Sequence, residues 1–183
     1  RGVKSSRGGY LLFLDADDAL VPSALQSFRS VVGARDQLDF VLGGWVLVSS
    51  KGRVTELPGK SLSPVREETF VSYMRGATMV ISGSAIIHRR VFDRLAFPEA
   101  VRQCEDRVFY AQLFALYAGH SIPDLVVTIY RHPDSLAHDV DLAERDAPKT
   151  VDLVFDPLVL PNELLLYRSE YRALVHRALF EKC

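Results

Sequence analysis

Tyr10-Leu11-Leu12-Phe13-Leu14-Asp15-Ala16-Asp17-Asp18 decides how this chain reads. Five apolar residues run without alternation and then meet three carboxylates. A short unbroken apolar run suits a strand buried on both faces. Such strands belong to mostly parallel sheets covered by helices. In open α/β sheets, ligands bind in the crevice beyond the carboxyl ends of the strands. Carboxylates this crowded repel one another, which raises the cost of ionising them, and a bound divalent cation removes that cost. Hard cations take oxygen ligands, commonly one or two carboxylates with substrate phosphates. The run is therefore suited to holding a metal–diphosphate. The same three acids also suit an Asp-rich turn, whose side chains bond their own backbone, or a cap for a helix starting near Pro22. Taken alone, the triplet does not choose between these readings.

Working outward, Arg7-Gly8-Gly9 is a turn ahead of the apolar run, and Pro22 opens a helix that Gly33 ends. Residues 39–49, rich in Val, Leu, Phe and Trp, read as a strand. Lys51-Gly52-Arg53 turns the chain into a returning strand over 54–57. Residues 67–75 are weakly helical, 85–88 a short strand, and 90–95 a short helix. The clearest amphipathic helix spans 105–117, with Phe109, Leu113 and Leu116 on one face and Gly119 after it. A strand over 125–130 leads into a polar loop, His132 to His138. From Asp141 the character changes. Pro148, Pro157 and Pro161 interrupt an apolar stretch over 151–160, which cannot be one long helix. Asn162 reads as the N-cap of a final helix.

The bulk numbers exclude several classes. The chain has 183 residues, enough for a sizeable core, with 48% hydrophobic and 25% charged residues. Its 22 basic and 23 acidic side chains leave a formal net charge of −1, so no electrostatic case exists for nucleic acid. Pairs such as Arg89-Arg90 are common on solvated surfaces. Two cysteines, Cys104 and Cys183, do not make a disulfide framework, and a reducing cytoplasmic setting is expected. No apolar run reaches the length of about 18 residues that a spanning helix needs. The first residues lack an apolar signal core and an initiator methionine, which suggests a fragment.

The stretch from Gly2 through Arg7-Gly8-Gly9 to Asp15-Ala16-Asp17-Asp18 resembles the signature of family-2 glycosyltransferases. Those enzymes carry a glycine-containing helix, a small-residue turn, then an apolar strand ending in Asp-x-Asp-Asp. The resemblance covers about residues 2 to 138. It implies a GT-A fold: a Rossmann-like mixed α/β sheet flanked by helices, incomplete at its N-terminus and followed by a helical C-terminal extension. The expected division is a GT-A portion over 1–140 and an extension over 141–183. The family implies that Asp17 ligates Mn²⁺ or Mg²⁺ and that Asp15 contacts the nucleotide ribose or the metal shell.

Gln103-Cys104-Glu105-Asp106-Arg107 matches the family's downstream acidic pair in type and order. The resemblance makes Asp106 the general base, with Glu105 assisting or orienting the acceptor. A carboxylate suits that work, because it must take a proton from a sugar hydroxyl as the oxygen attacks. The bland alternative is an acid in the first turn of a helix, where the dipole favours it. The sequence departs from the family by lacking a glycine across Arg102-Gln103-Cys104. Tyr130-Arg131-His132 resembles the family's closing segment. Either His132 or His138 could complete a metal site, and Arg131 could contact phosphate. Each is equally an exposed loop residue. Ser82-Gly83-Ser84 reads as an acceptor-side segment or a plain turn, and Trp45 as a sugar platform or a core ring.

The resemblance thus implies a metal-dependent, inverting glycosyltransferase. Its donor would be a nucleoside-diphosphate sugar, expected to be UDP-linked. Its acceptor would be a saccharide or glycolipid of surface-polysaccharide or glycoconjugate synthesis. The nucleotide-base pocket is expected upstream of Arg1, and an exposed sheet edge would favour homo-oligomers. Peripheral contact with the inner face of a membrane stays open. Two rivals stand beside this reading. One is a non-catalytic or degenerate transferase fragment acting as an interaction domain. The other is a haloacid-dehalogenase-like phosphotransferase, whose motif Asp18-Ala19 matches poorly.

Overall fold

The computed structural model describes residues 2–35, 38–132 and 140–180, with the backbone alone of 140 and 178–180. The chain divides into two compact units: Arg1–Leu62, Val80–Arg94 and Tyr117–Pro133 form one, and Ser63–Met79, Leu95–Leu116 and Asp134–Cys183 the other.

The first unit holds the sheet. Its elements are α1 (Gly2–Ser5), β1 (Tyr10–Leu12), β2 (Ala19–Leu20), α2 (Ala24–Ala34), β3 (Phe40–Val48), β4 (Val54–Leu57), β5 (Ala85–His88) and β6 (Gly119–Tyr130). The strand order is β1-β5-β3-β6-β2, with β4 also on β3. β3 is the central strand because its Val, Leu, Phe and Trp residues suit a buried pleat. One edge pairs in parallel with β6 along its whole length. The other pairs antiparallel with β5 at Phe40–Leu42 and then with β4 at Trp45–Val48. The hand-over lies at Gly43-Gly44, where the register with β6 also shifts. A Cβ on Gly44 would lie 2.5 Å from both the Gly59 nitrogen and the Leu57 oxygen, so only glycine fits. The sheet is mixed, as expected of the fold, and β3–β6 is its parallel pair among the described strands.

Several local expectations need correction. The apolar run ends as a strand at Leu12, only Leu11 within it is buried, and Leu14 is exposed. The reason is position: among the described strands β1 pairs with β5 alone. β6 starts at Gly119 rather than near Leu125, and Pro123 is accommodated in the bulge opposite Gly43. Trp45 is buried with Ala24, Phe28, Val41, Ile86 and Val126, so it is a core ring. Arg89 and Arg90 are not idle surface charges. Arg89 donates to the carbonyls of Val3, Ser6 and Gly8, and Arg90 Nε lies 2.7 Å from Asp39 Oδ1.

The second unit is helical: α3 (Arg66–Met74), α4 (Glu105–Leu116), α5 (Val140–Val154) and α6 (Arg168–Phe180). Phe70, Phe109, Tyr110, Leu113, Phe114, Val151, Val154 and Phe155 are buried. The aromatic rings interlock edge-on, as Phe70 does on Phe155 and Tyr73 on Phe114. α5 carries Pro148 inside it, a helix the proline-rich tail did not announce. The helix persists despite the missing N–H because Ala147, Val151 and Val154 bury its apolar face. Residues beyond Val154 leave the helix, as the prolines required, and Asp156 caps the turn through the Leu158 N–H. Asn162 does not cap a helix. It opens a 3-10 turn over Asn162–Tyr167, which runs into α6. No described helix is long and apolar enough to cross a membrane.

Candidate functional site

β1, β3 and β6 run in the same direction, so their carboxyl ends lie at one end of the sheet. The acidic turn follows β1 there and is closed by the Asp18 N–H on the Asp15 carbonyl at 3.2 Å. β2 then pairs with β6, Ala19 opposite Thr128. That register sets Asp18 beside the end of β6, where the Tyr130 N–H donates to Asp18 Oδ1 at 3.2 Å. Two residues on, His132 Nε2 lies 3.7 Å from Asp17 Oδ2. Asp15 and Asp17 are exposed and Asp18 is half-buried. Partial burial raises the Asp18 pKa. The Tyr130 N–H opposes that shift, and the charges of Asp17 and Asp15 add to it.

The turn thus brings Asp15, Asp17, Asp18 and His132 together, although the chain separates the acids from the histidine by more than a hundred residues. Arg131 is exposed beside His132, its N–H donating to the Val48 carbonyl. His138 lies outside the described residues. Ser82-Gly83-Ser84 is a 3-10 turn closed on itself by Ser84 Oγ and the Ile81 backbone. Gly83 also makes room for the acidic turn, since a Cβ there would lie 3.1 Å from Leu14 Cδ1, the side chain just before the acids.

Among the described residues, no group of three or more His, Cys, Asp and Glu side chains is arranged to hold a metal ion. Asp17 and His132 are the described pair at this turn whose donor types suit a cation, and a cation held there would need further ligands.

In the second unit, Glu105 and Asp106 open α4, both half-buried, and Asp106 Oδ1 accepts from the Arg107 N–H at 2.7 Å. Acids there complement the helix dipole. Cys104 precedes them with a φ of 66°, and its carbonyl accepts the first helical bond, from Val108. This left-handed conformation is one that glycine adopts without strain. The glycine missing from 102–104 is therefore missing where the backbone would use it.

The loop is held from outside by a residue that no sequence pattern singles out. Asp146, on α5, is 1% exposed. Its Oδ2 accepts from the N–H groups of Arg102 at 2.7 Å and Gln103 at 3.3 Å, and Arg145 Nε lies 3.0 Å from Oδ1. The Arg145 guanidinium, followed by the Arg102 N–H, lowers the Asp146 pKa to about 2. A lone Asp in a proline-containing tail carries no motif, so only contact reveals it.

No protein-family sequence profile matches the chain, and no curated protein matches it by sequence. Solved structures do match. One is TarS residues 1–349 from S. aureus in complex with UDP-GlcNAc, at a TM-score of 0.62 and 15% identity. Another is the same protein with UDP, at 0.61 and 17%. Each match covers 98% of this chain, and the chain spans 51% and 49% of those structures. At such identities the likeness shows the fold, and the fold is GT-A.

Proposed function

We propose that the chain is the catalytic-edge portion of a glycosyltransferase that uses a nucleoside-diphosphate sugar. The observation that carries this reading is the GT-A fold with Asp15, Asp17, Asp18 and His132 gathered at the carboxyl ends of its strands. In this reading the donor is UDP-linked, in keeping with the UDP and UDP-GlcNAc bound by the TarS structures.

Asp17 and His132 are the residues that would hold Mn²⁺ or Mg²⁺. Once bound, such an ion neutralises charge on the departing diphosphate. Asp15 orients the donor ribose, and Arg131 is available to phosphate as a planar, permanently charged donor. Asp106 takes the proton of the acceptor hydroxyl while its oxygen attacks the anomeric carbon from the face opposite the diphosphate, inverting it. Glu105 orients the acceptor. A saccharide or glycolipid of a surface polysaccharide fits this chemistry as acceptor. A reducing cytoplasmic setting fits the two cysteines.

The test is calorimetric titration of UDP-GlcNAc into the full-length gene product, with and without Mn²⁺. Binding should require the ion in the wild type and be lost in Asp17→Asn. Unchanged binding in that variant would remove the metal assignment. Release of UDP, with water as acceptor, then reports the chemical step.

A further inference from the structure

Asp146 is a buried carboxylate that the proposed chemistry does not use directly. One of its oxygens accepts two consecutive backbone N–H groups, those of Arg102 and Gln103. Its own helix is tied down independently: the Gln112 side chain of α4 donates to the Leu153 carbonyl of α5 at 2.8 Å. The two amides lie directly before Cys104, the described non-glycine residue with positive φ. Glu105 and Asp106 follow at once. A backbone in a sparsely populated conformation persists only where its surroundings over-determine it. Here the α4 helical bond to the Cys104 carbonyl fixes one side of the residue. Asp146 fixes the other.

We infer that Asp146 is a positioning residue for Asp106: its carboxylate, presented from α5, sets the loop that aims the acidic pair at the start of α4. This rests on the reading of Asp106 as the base. It also makes α5 of the C-terminal extension a working part of the site.

The experiment compares Asp146→Ala, Asp146→Asn, Asp146→Glu and Asp106→Asn in the full-length gene product. It follows UDP release from UDP-GlcNAc and hydrogen exchange at the 102 and 103 amides. Asp146→Ala should lower kcat between about tenfold and a hundredfold, the scale of a small misplacement. Donor KM should stay within about threefold of wild type, and both amides should exchange faster. Asp146→Asn keeps an oxygen toward the amides and should restore kcat to within about threefold. Loss of folding alone would not produce that split, because it removes active sites without changing KM. Should Asp146→Ala not fold, Asp146→Glu decides, since it moves the acceptor by one methylene. Its kcat must follow the exchange of the two amides, and a change in one without the other overturns the inference. An active Asp106→Asn would sink the base reading and this inference with it. An inactive Asp106→Asn beside a wild-type kcat in Asp146→Ala would sink the positioning role alone.

Discussion

Asp15, Asp17 and Asp18 stand on a turn that the sheet builds by register, whereas Glu105 and Asp106 follow a loop that a separate helix holds from outside. In the first cluster the Asp18 N–H closes the turn on the Asp15 carbonyl, and the Asp18 side chain accepts from the Tyr130 N–H. In the second, the side chain of Asp146 accepts from the 102 and 103 amides just before a left-handed Cys104. The β2–β6 register and the Asp15–Asp18 bond tolerate changes of side chain, because backbone bonds do not depend on residue identity, whereas the Tyr130 bond needs the Asp18 carboxylate. A loop whose 102 and 103 amides rest on one carboxylate does not tolerate its replacement. The first cluster should therefore fail when a proposed ligand is removed or when Asp18 loses its bond to Tyr130. The second should also fail through its support.

The largest effects fall on chemistry. Asp106→Asn should lower UDP release by about 10²- to 10⁴-fold, the range for losing a general base, with donor binding retained. Asp17→Asn should do the reverse and abolish Mn²⁺-dependent donor binding by calorimetry. If both variants lose binding, or both keep it, the two clusters do not have separate roles.

His132→Ala should weaken Mn²⁺ by roughly tenfold or more in the same titration, at the lower end of what metal-site partners contribute. An unchanged affinity would return His132 to the status of an exposed loop residue. Its contact with Asp17 is exposed on both sides, so no measurable loss of stability is expected in that variant.

The support of the second cluster can be read by pH. Arg145 and the loop amides lower the folded Asp146 pKa from an ordinary 3.8 to about 2. A carboxylate lowered in this way adds stability that is fully present above its unfolded value and is lost as pH falls through its folded value. Wild type should thus melt above Asp146→Asn at about pH 6, and the two curves should converge as the pH approaches about 2. Curves that stay apart at the acid end would show that charge at Asp146 is not what matters.

The smallest effect is on strain. A left-handed residue with a Cβ costs about 1–2 kcal/mol, and glycine gives back about 0.5–1 kcal/mol in chain entropy. Cys104→Gly should therefore stabilise the protein by roughly 0.5–1 kcal/mol in denaturant titration. A destabilised variant would mean that the Cys104 side chain contributes more than its backbone costs.

Much of this was legible in the sequence because it depends on short-range pattern. The strand cores at 40–48, 54–57 and 85–88, the existence of α4 and the two acidic clusters follow from composition and pattern over a few residues, although α4 is buried on every side from Val108 to Ala115 and not along one face. Local pattern misleads where long-range partners decide. The run at 10–14 reads as doubly buried only if neighbours cover it, and β1 has a single described partner. α5 reads as broken at Pro148, yet burial of its apolar face outweighs the bond that proline removes. Arg89 reads as surface charge until the carbonyls of Val3, Ser6 and Gly8 are folded beneath it.

The sequence by itself determined that carboxylates would end one strand and open one helix, since both placements rest on local backbone chemistry. Only the tertiary structure decided which groups would meet them. His132 reaches Asp17 because β6 lies beside β2, and Asp146 reaches the 102 and 103 amides because α5 packs on α4. Neither meeting is written in spacing along the chain. Both follow from burying apolar faces, which brings together side chains that no local pattern connects.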